Sequence, residues 1–166
     1  MGTLNNSATR EQYLSLLKKA VHSPIDYTMY NSTSVINNTN CYSHAIGSTL
    51  SCIELYRIGA ISGLKDINQD YFSINELLNL FLEDMNTLDL KIEDSNLEDS
   101  MNSNQYQIAL FVKIYADNKI HDFHFYRNDS LGWSEKWRWY KPTMLGGFKE
   151  LDYFPWHLIG IFKITK

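Results

Sequence analysis

The sequence predicts an α+β fold, with helices in the first half of the chain and an antiparallel sheet in the second half. Apolar residues recur at helical spacing between residues 9 and 85. From residue 105 onward, apolar and polar residues alternate in segments that short turn sequences separate. Helices followed by strands are typical of this class. The chain has no internal repeat or linker, so a single domain is expected over 1–166.

Three helices are predicted. The first covers 9–22 and stops before Pro24, and the polar residues after it are expected to cross the surface, so that 1–35 forms an N-terminal helix and crossing. The second is expected within 41–58 and ends before Gly59. The third begins at a capping box, Ser73 to Glu76, and runs to residue 85.

The antiparallel sheet is expected to lie within 105–166, with one edge strand before it. The dipeptide Asp117-Asn118 suits a tight turn between the two longest strands. The segment 94–104 is polar and is expected to be a loop. The predicted strands are 88–93, 105–116, 119–127, 133–140 and 158–165.

The composition excludes several function classes. The formal net charge is -4 and no Lys/Arg cluster is present, so neither nucleic acid nor an anionic membrane is an expected partner. No apolar run approaches the ~20 residues of a membrane span, and residues 1–20 lack an apolar signal core. We expect a cytoplasmic protein in the producing cell, with delivery to a host or target by a signal-less route as the alternative.

The two cysteines, Cys41 and Cys52, fall in one predicted helix about three turns apart, which is too far for a disulfide. His121 and His124 share a predicted strand, but their odd spacing places them on opposite faces. No second Cys/His cluster is present to complete a zinc site. We therefore expect free thiols, no metal and no cofactor.

Cys41 stands at the change from a polar run to a helical pattern, in "INNTNCYSHAIG". A helix N-terminus favours a thiolate, which is the nucleophilic form of cysteine. The alternative is that Cys41 packs as a small apolar side chain, as buried cysteines often do.

His124 is the candidate general base. Phe123 and Phe125 are expected to point into the core, while Asp122, His124 and Tyr126 point to the other face. A histidine between two core aromatic residues is held rigidly, as a base must be. The alternative is a histidine that makes an ordinary hydrogen bond.

Glu135 is the candidate that orients His124. With a four-residue turn over 128–131, Glu135 lies directly opposite His124 on the next strand. A carboxylate there fixes the tautomer of the imidazole and stabilises imidazolium. A slip of one residue would move Glu135 to the other face, and Asp129 and Asp122 are the alternatives.

Other residues are expected around this triad. The oxyanion would lie against the Cys41 amide and a donor from Asn40 or Asn38. His44, one helical turn after Cys41, would flank the thiol. Aromatic residues expected either to wall a substrate groove or to fill the core are Trp133, Trp137, Trp139 and Trp156.

The order Cys at a helix start, His on a strand and a polar residue on the next strand resembles papain-like cysteine enzymes, above all the compact bacterial NlpC-type and CHAP-type branches. The segments "NCYSHAIG" and "DFHFYRNDSLGWSEK" are similar to a bacterial group that has a Cys-Tyr helix start, Asp-Tyr-His-Phe-Tyr-Arg and Trp-Ser-His-Lys-Pro-Gly. The resemblance implies a papain-like fold with Cys41 as nucleophile and His124 as base. Glu135 stands in place of that group's second histidine, and Trp137 follows Lys136 in place of Pro-Gly.

Two functions are therefore predicted. The first is a thiol hydrolase or acyltransferase acting on an amide bond of a protein or peptide, as a peptidase, amidase or deamidase. The second is a non-catalytic protein-binding module on a degenerate papain-like fold, such as an inhibitor, an immunity protein or a phage-encoded interaction protein. A bacterial protein, a translocated effector and a phage product all fit.

Overall fold

A six-stranded antiparallel sheet and four α-helices make up the computed structural model, which describes residues 7–66, 69–148 and 154–166. The predicted α+β class is confirmed. The first six residues of the predicted segment 1–35 lie outside the described residues. None of the helices in this part of the chain combines the length and the apolar character that a membrane crossing requires.

The first and last helices agree with the predicted ones, whereas the second predicted helix differs from the structure. Ser73 caps the last helix as predicted, because its hydroxyl accepts the Glu76 amide. The reciprocal half of the predicted capping box is wrong, because the Glu76 carboxylate accepts the Phe72 amide instead of the Ser73 amide. The helix expected over 41–58 is wrong: it ends at Ile46, because Gly47 adopts a left-handed φ of 81° and its amide returns to carbonyls of the last turn. The helices are α1 (Ser7–Val21), α2 (Thr33–Asn37), α3 (Cys41–Ile46) and α4 (Ile74–Thr87), with 3₁₀ turns over Tyr27–Asn31 and Ile53–Leu55.

The strands are β1 (Lys91–Asp94), β2 (Gln105–Ile114), β3 (Ile120–Asp129), β4 (Gly132–Glu135), β5 (Thr143–Met144) and β6 (Trp156–Thr165). They form a sheet with the order β1-β6-β2-β3-β4-β5. The strand predicted over 133–140 is wrong, because β4 stops at Glu135 and the chain turns away at Lys136. Trp137 and Trp139 therefore do not alternate with Trp133 along one strand.

The β3–β4 hairpin has a tighter turn than the sequence suggested. Asp129 pairs with Gly132, which leaves a two-residue loop, and Glu135 pairs with Tyr126 instead of His124. The Asp129 carboxylate accepts the Leu131 amide, and Gly132 has a φ of 96°, so the local sequence supports this turn. The shift is two residues, so Glu135 keeps the expected face of the sheet.

Apolar side chains cover both faces of the sheet. The main core lies between the helices and one face, where the Tyr42 ring stacks on Phe125 with centroids 5.3 Å apart. Tyr126 belongs to a second cluster on the other face, together with Phe111 and Trp156. The predicted division of β3, with Phe125 on one face and Tyr126 on the other, is confirmed.

A buried carboxylate connects α3 to the rest of the helical layer. Asp84 of α4 accepts hydrogen bonds from the Tyr42 hydroxyl at 2.7 Å, the Gly59 amide at 2.7 Å and the Ser62 amide at 2.8 Å. These three bonds join α3, α4 and the loop between them. They hold the helix that carries Cys41 in a fixed position.

Candidate active site

A cavity of about 420 Å³ brings Cys41 and His124 into one space. Among the residues that the structure describes, four separate segments form its walls: the start of α3, the 3₁₀ turn after it, β3 around Phe123 and the chain just beyond β4. The lining residues are Asn40, Cys41, Ile53, Glu54, Tyr56, Arg57, Asp122, Phe123, His124, Lys136, Trp137 and Arg138.

Cys41 is the first residue of α3, and its neighbour Asn40 fixes the start of that helix. The Asn40 Oδ1 accepts the amides of Tyr42 and Ser43, and the Ser43 hydroxyl accepts the Asn40 amide. The Asn40 Nδ2 donates to the Tyr56 carbonyl at 2.6 Å, which joins two of the four walls of the cavity. The backbone position of the thiol is thus set by hydrogen bonds on both sides.

The Cys41 thiol lies at a stretch of the β3 edge that β4 leaves unpaired. Pairing between β3 and β4 ends at Tyr126 and Glu135. Beyond that point the Cys41 Sγ lies 3.8 Å from the Phe123 carbonyl oxygen, to which it donates a hydrogen bond. Cys41 as a whole is 8% exposed. In this resting arrangement its hydrogen bond goes to the main chain and not to an imidazole.

Burial raises the pKa of the Cys41 thiol to about 12. The main-chain amide of Phe125 and the Lys136 ammonium favour the thiolate, whereas the Asp122 carboxylate opposes it. The sequence suggested that the helix N-terminus would favour a thiolate here. Burial outweighs that effect, so the resting group is a neutral thiol at pH 7.

His124 contacts Glu135 as predicted, although by a diagonal reach instead of a direct cross-strand pairing. The His124 Nε2 and the Glu135 Oε2 are 2.8 Å apart. The histidine is 1% exposed, and the indole of Trp137 covers its ring. Because Nε2 faces the carboxylate, Nδ1 is the ring nitrogen left to exchange a proton with a thiol or a substrate.

The two alternative carboxylates have other contacts. Asp129 accepts hydrogen bonds from the Tyr27 hydroxyl at 2.6 Å and from the Arg127 Nε at 3.0 Å. Asp122 lines the cavity, and its carboxylate accepts the Phe123 amide at 2.8 Å. Among the three predicted carboxylates, Glu135 is the one that contacts the imidazole.

The predicted oxyanion donors have structural partners. The Asn38 Nδ2 donates to the Ser34 carbonyl, and Asn38 is half-buried and lies outside the cavity lining. The Asn40 Nδ2 donates to the Tyr56 carbonyl. The Cys41 amide is not among the amides that Asn40 caps, so it is the donor that the helix start leaves for an oxyanion.

Of the predicted groove residues, only Trp137 lines the cavity. His44 is fully buried instead, with its Nε2 2.8 Å from the Ser134 hydroxyl. Trp133 and Trp156 belong to the second apolar cluster, although the Trp156 ring centroid lies 6.3 Å from that of His124. Burial also lowers the pKa of His44 to about 3, so this imidazole is neutral.

Sequence reasoning did not single out several charged residues of the cavity. Glu54 and Arg57 lie on a segment that the helical pattern assigned to a continuous helix. Arg138 was assigned to a strand that ends before it. Lys136 is the last residue of the "WSEK" motif, and its place directly after Glu135 was the one sequence feature that could have pointed to it.

The Lys136 side chain is completely buried, and its ammonium contacts four main-chain carbonyls. Burial lowers the pKa of Lys136 to about 8, so the ammonium is the main form at pH 7. The acceptors and their distances from Nζ are Ile36 O 3.0 Å, Thr39 O 3.1 Å, Arg138 O 3.0 Å and Trp137 O 3.5 Å.

Within residues 7–66, 69–148 and 154–166, no group of three or more His, Cys, Asp or Glu side chains is arranged to hold a metal ion. Comparison of the chain with protein-family models, with curated proteins and with solved structures gave no match.

Proposed function

We propose that this chain is a thiol hydrolase or acyltransferase that acts on an amide bond of a protein or peptide. Cys41 is the nucleophile, His124 the general base and Glu135 the residue that orients the imidazole. One observation carries the proposal: a rigid, carboxylate-bound imidazole and a free thiol at a helix start line the same cavity.

The reaction begins when the thiol leaves the Phe123 carbonyl and transfers its proton to the His124 Nδ1. The sulfur then forms a bond to the substrate carbonyl carbon, and the Cys41 amide stabilises the oxyanion. The C–N bond breaks as His124 returns the proton to the leaving amine. Water or a second amine attacks the resulting thioester, which gives hydrolysis or acyl transfer.

The neutral resting thiol is compatible with this sequence of steps. A nucleophile with a base beside it need not be ionised before the substrate arrives, because the proton moves as the new bond forms. The thiol gives up its hydrogen bond to the Phe123 carbonyl as its proton passes to His124. The Glu135 carboxylate stabilises the imidazolium that this transfer creates.

The setting proposed with this activity is the cytoplasm of the producing cell, or a host or target cell to which the protein is delivered. A protein or peptide substrate fits the net charge of -4 better than a nucleic acid does.

The test uses p-nitrophenyl acetate as an acyl donor and peptide mass spectrometry as the readout. We expect an acetyl group on Cys41 in the wild type and a reduction of at least about 100-fold in its rate of formation in His124→Ala. Cys52, the other buried free thiol, is the internal control, because it does not line the cavity. Equal acetylation of Cys41 in His124→Ala would refute the catalytic pair.

A non-catalytic binding module is the second candidate, and the raised pKa of the Cys41 thiol favours it, since burial keeps the thiol protonated. Exposed aromatic residues just beyond the cavity, Trp139 and Tyr140, would then supply part of an interface. Absence of any Cys41 adduct in the folded wild type would support this candidate over the enzyme.

A further inference from the structure

Lys136 is a buried cation whose hydrogen-bond partners are all neutral. Its three shortest contacts are to the carbonyls of Ile36, Thr39 and Arg138, at 3.0 to 3.1 Å. An ammonium has three N–H donors, and three carbonyls accept them. A neutral amine would direct a lone pair at one of these oxygens, so the carbonyls favour the charged form, whereas burial lowers the pKa of Lys136 to about 8.

This charge has no ion-pair partner among the residues that the structure describes. A buried cation without a carboxylate is costly, because carbonyl dipoles replace only part of its hydration. Lys136 also lines the cavity that contains Cys41. An anion that forms in this cavity would complete the electrostatic balance, and the thiolate of Cys41 is the anion that the proposed reaction creates.

The same ammonium connects the two parts of the chain that must stay together for the reaction. Ile36 and Thr39 lie just before the start of α3, whereas Lys136 directly follows Glu135. The contacts therefore fix the segment that precedes Cys41 against the end of the strand that carries the partner of His124.

We infer that Lys136 is a positioning residue that holds Cys41 near the His124–Glu135 pair and stabilises the Cys41 thiolate with its buried positive charge. The inference rests on the proposed function for its purpose, but its electrostatic part does not depend on catalysis.

Other charged or titratable groups share the cavity and must be separated from Lys136. They are Glu54 and Arg57 on the 3₁₀ side, Asp122 and His124 on β3, and Arg138 beyond β4. Arg138 is the matched control for the lysine, because its guanidinium is a nearby cation on an exposed side chain. Solvent and salt screen such a charge.

The experiment measures the alkylation rate of Cys41 by iodoacetamide between pH 7 and pH 10 in the wild type, Lys136→Met and Arg138→Met. At pH 7 we expect Lys136→Met to react about tenfold more slowly, which corresponds to about one unit in the thiol pKa. The difference should disappear by pH 10, because the Lys136 ammonium, with a pKa of about 8, is then neutral in the wild type. Arg138→Met should stay within about twofold of the wild type throughout.

Cys52 alkylation reports on folding in the same samples. If Cys52 also reacts faster in Lys136→Met, the variant has lost structure, and Lys136→Gln, which keeps N–H donors without the charge, replaces it. A Cys41 rate equal to that of the wild type at every pH, or a difference that persists to pH 10, would overturn the electrostatic role. Neither result depends on acetyl transfer, so the inference and the proposed function fail separately.

Discussion

The indole of Trp137 lies flat on the imidazole of His124, with ring centroids 3.7 Å apart and ring planes 9° from parallel. Trp137 is 39% exposed, whereas His124 is 1% exposed, so the tryptophan separates the histidine from solvent. The face of an indole also attracts a cation. This contact therefore protects the hydrogen bond between His124 and Glu135 and favours the imidazolium that proton transfer would create.

We expect Trp137→Ala to slow acetylation of Cys41 by about tenfold, since the imidazolium loses the indole face and the His124–Glu135 bond becomes exposed to water. Proton NMR of the Nε2–H resonance provides a second readout, because exchange with water should broaden that signal in the variant. Trp139→Ala is the control, since that ring is more exposed and does not line the cavity. Equal effects of the two substitutions would contradict a specific role for the stack.

Glu135→Gln should reduce the acetylation rate by about 10- to 100-fold, equivalent to about 1.4–2.7 kcal/mol of transition-state stabilisation. The amide keeps the size of the side chain but cannot stabilise an imidazolium by charge. Asp122→Asn serves as the comparison. It removes another carboxylate of the same cavity, and this carboxylate has no hydrogen bond to His124 among the described residues. A larger loss in Asp122→Asn would show that the wrong carboxylate has been assigned.

His44 should make the protein less stable in acid. Burial holds the pKa of His44 at about 3 in the folded state, below the ordinary value of 6.5. The unfolded chain therefore binds the proton first, and stability is lost as the pH falls from 6.5 toward 3. The loss from this residue is about 2 kcal/mol at pH 5 relative to pH 7.

Urea unfolding of the wild type and His44→Gln at both pH values measures this contribution. Glutamine retains a hydrogen-bonding group for Ser134 but does not titrate. Between pH 7 and pH 5 the variant should therefore lose about 2 kcal/mol less free energy of unfolding than the wild type. The same pH dependence in both proteins would show that His44 is not the group responsible.

Tyr42→Phe should lower the free energy of unfolding by about 1–3 kcal/mol, because it removes a hydrogen bond to a buried carboxylate. The Tyr42 hydroxyl is 2.7 Å from the Asp84 carboxylate. Because burial disfavours the charged carboxylate and raises the pKa of Asp84, the loss of a hydrogen-bond donor to it is costly. Tyr140→Phe is the control, since Tyr140 is 69% exposed. The measurement is denaturant unfolding. A free energy of unfolding for Tyr42→Phe equal to that of the wild type would contradict the prediction.

The division of β3 between two faces was predictable because alternation is a local property of a strand. Phe125 and Tyr126 point where their order in the sequence places them. The partnership of His124 with Glu135 was also found, although the register was wrong by two residues. An even error preserves the face of the sheet, and the length of the glutamate side chain covers the remaining distance.

The parts that sequence reasoning missed depend on contacts between distant segments. The apolar residues Leu55 and Ile58 continue a helical pattern after Cys41, and they are buried, but in a segment that is not an α-helix. Periodicity records burial and does not by itself distinguish a helix from a folded loop. Sequence reasoning did not single out Lys136, because its acceptors at Ile36 and Thr39 lie about 100 residues earlier in the chain.

The cavity around Cys41 depends on the left-handed turn at Gly47 that ends α3. If α3 had continued as a rod, its later residues would have run away from Cys41 along the helix axis, and no second wall would face the sulfur. Because the chain reverses at Gly47, the residues that follow come back to face Cys41. A Cβ at this glycine would lie 3.2 Å from the Arg127 Nη1 in a conformation that L-residues rarely adopt. The cavity around Cys41 thus depends on one change of chain direction, which is made by Gly47, a residue that has no role in the proposed reaction.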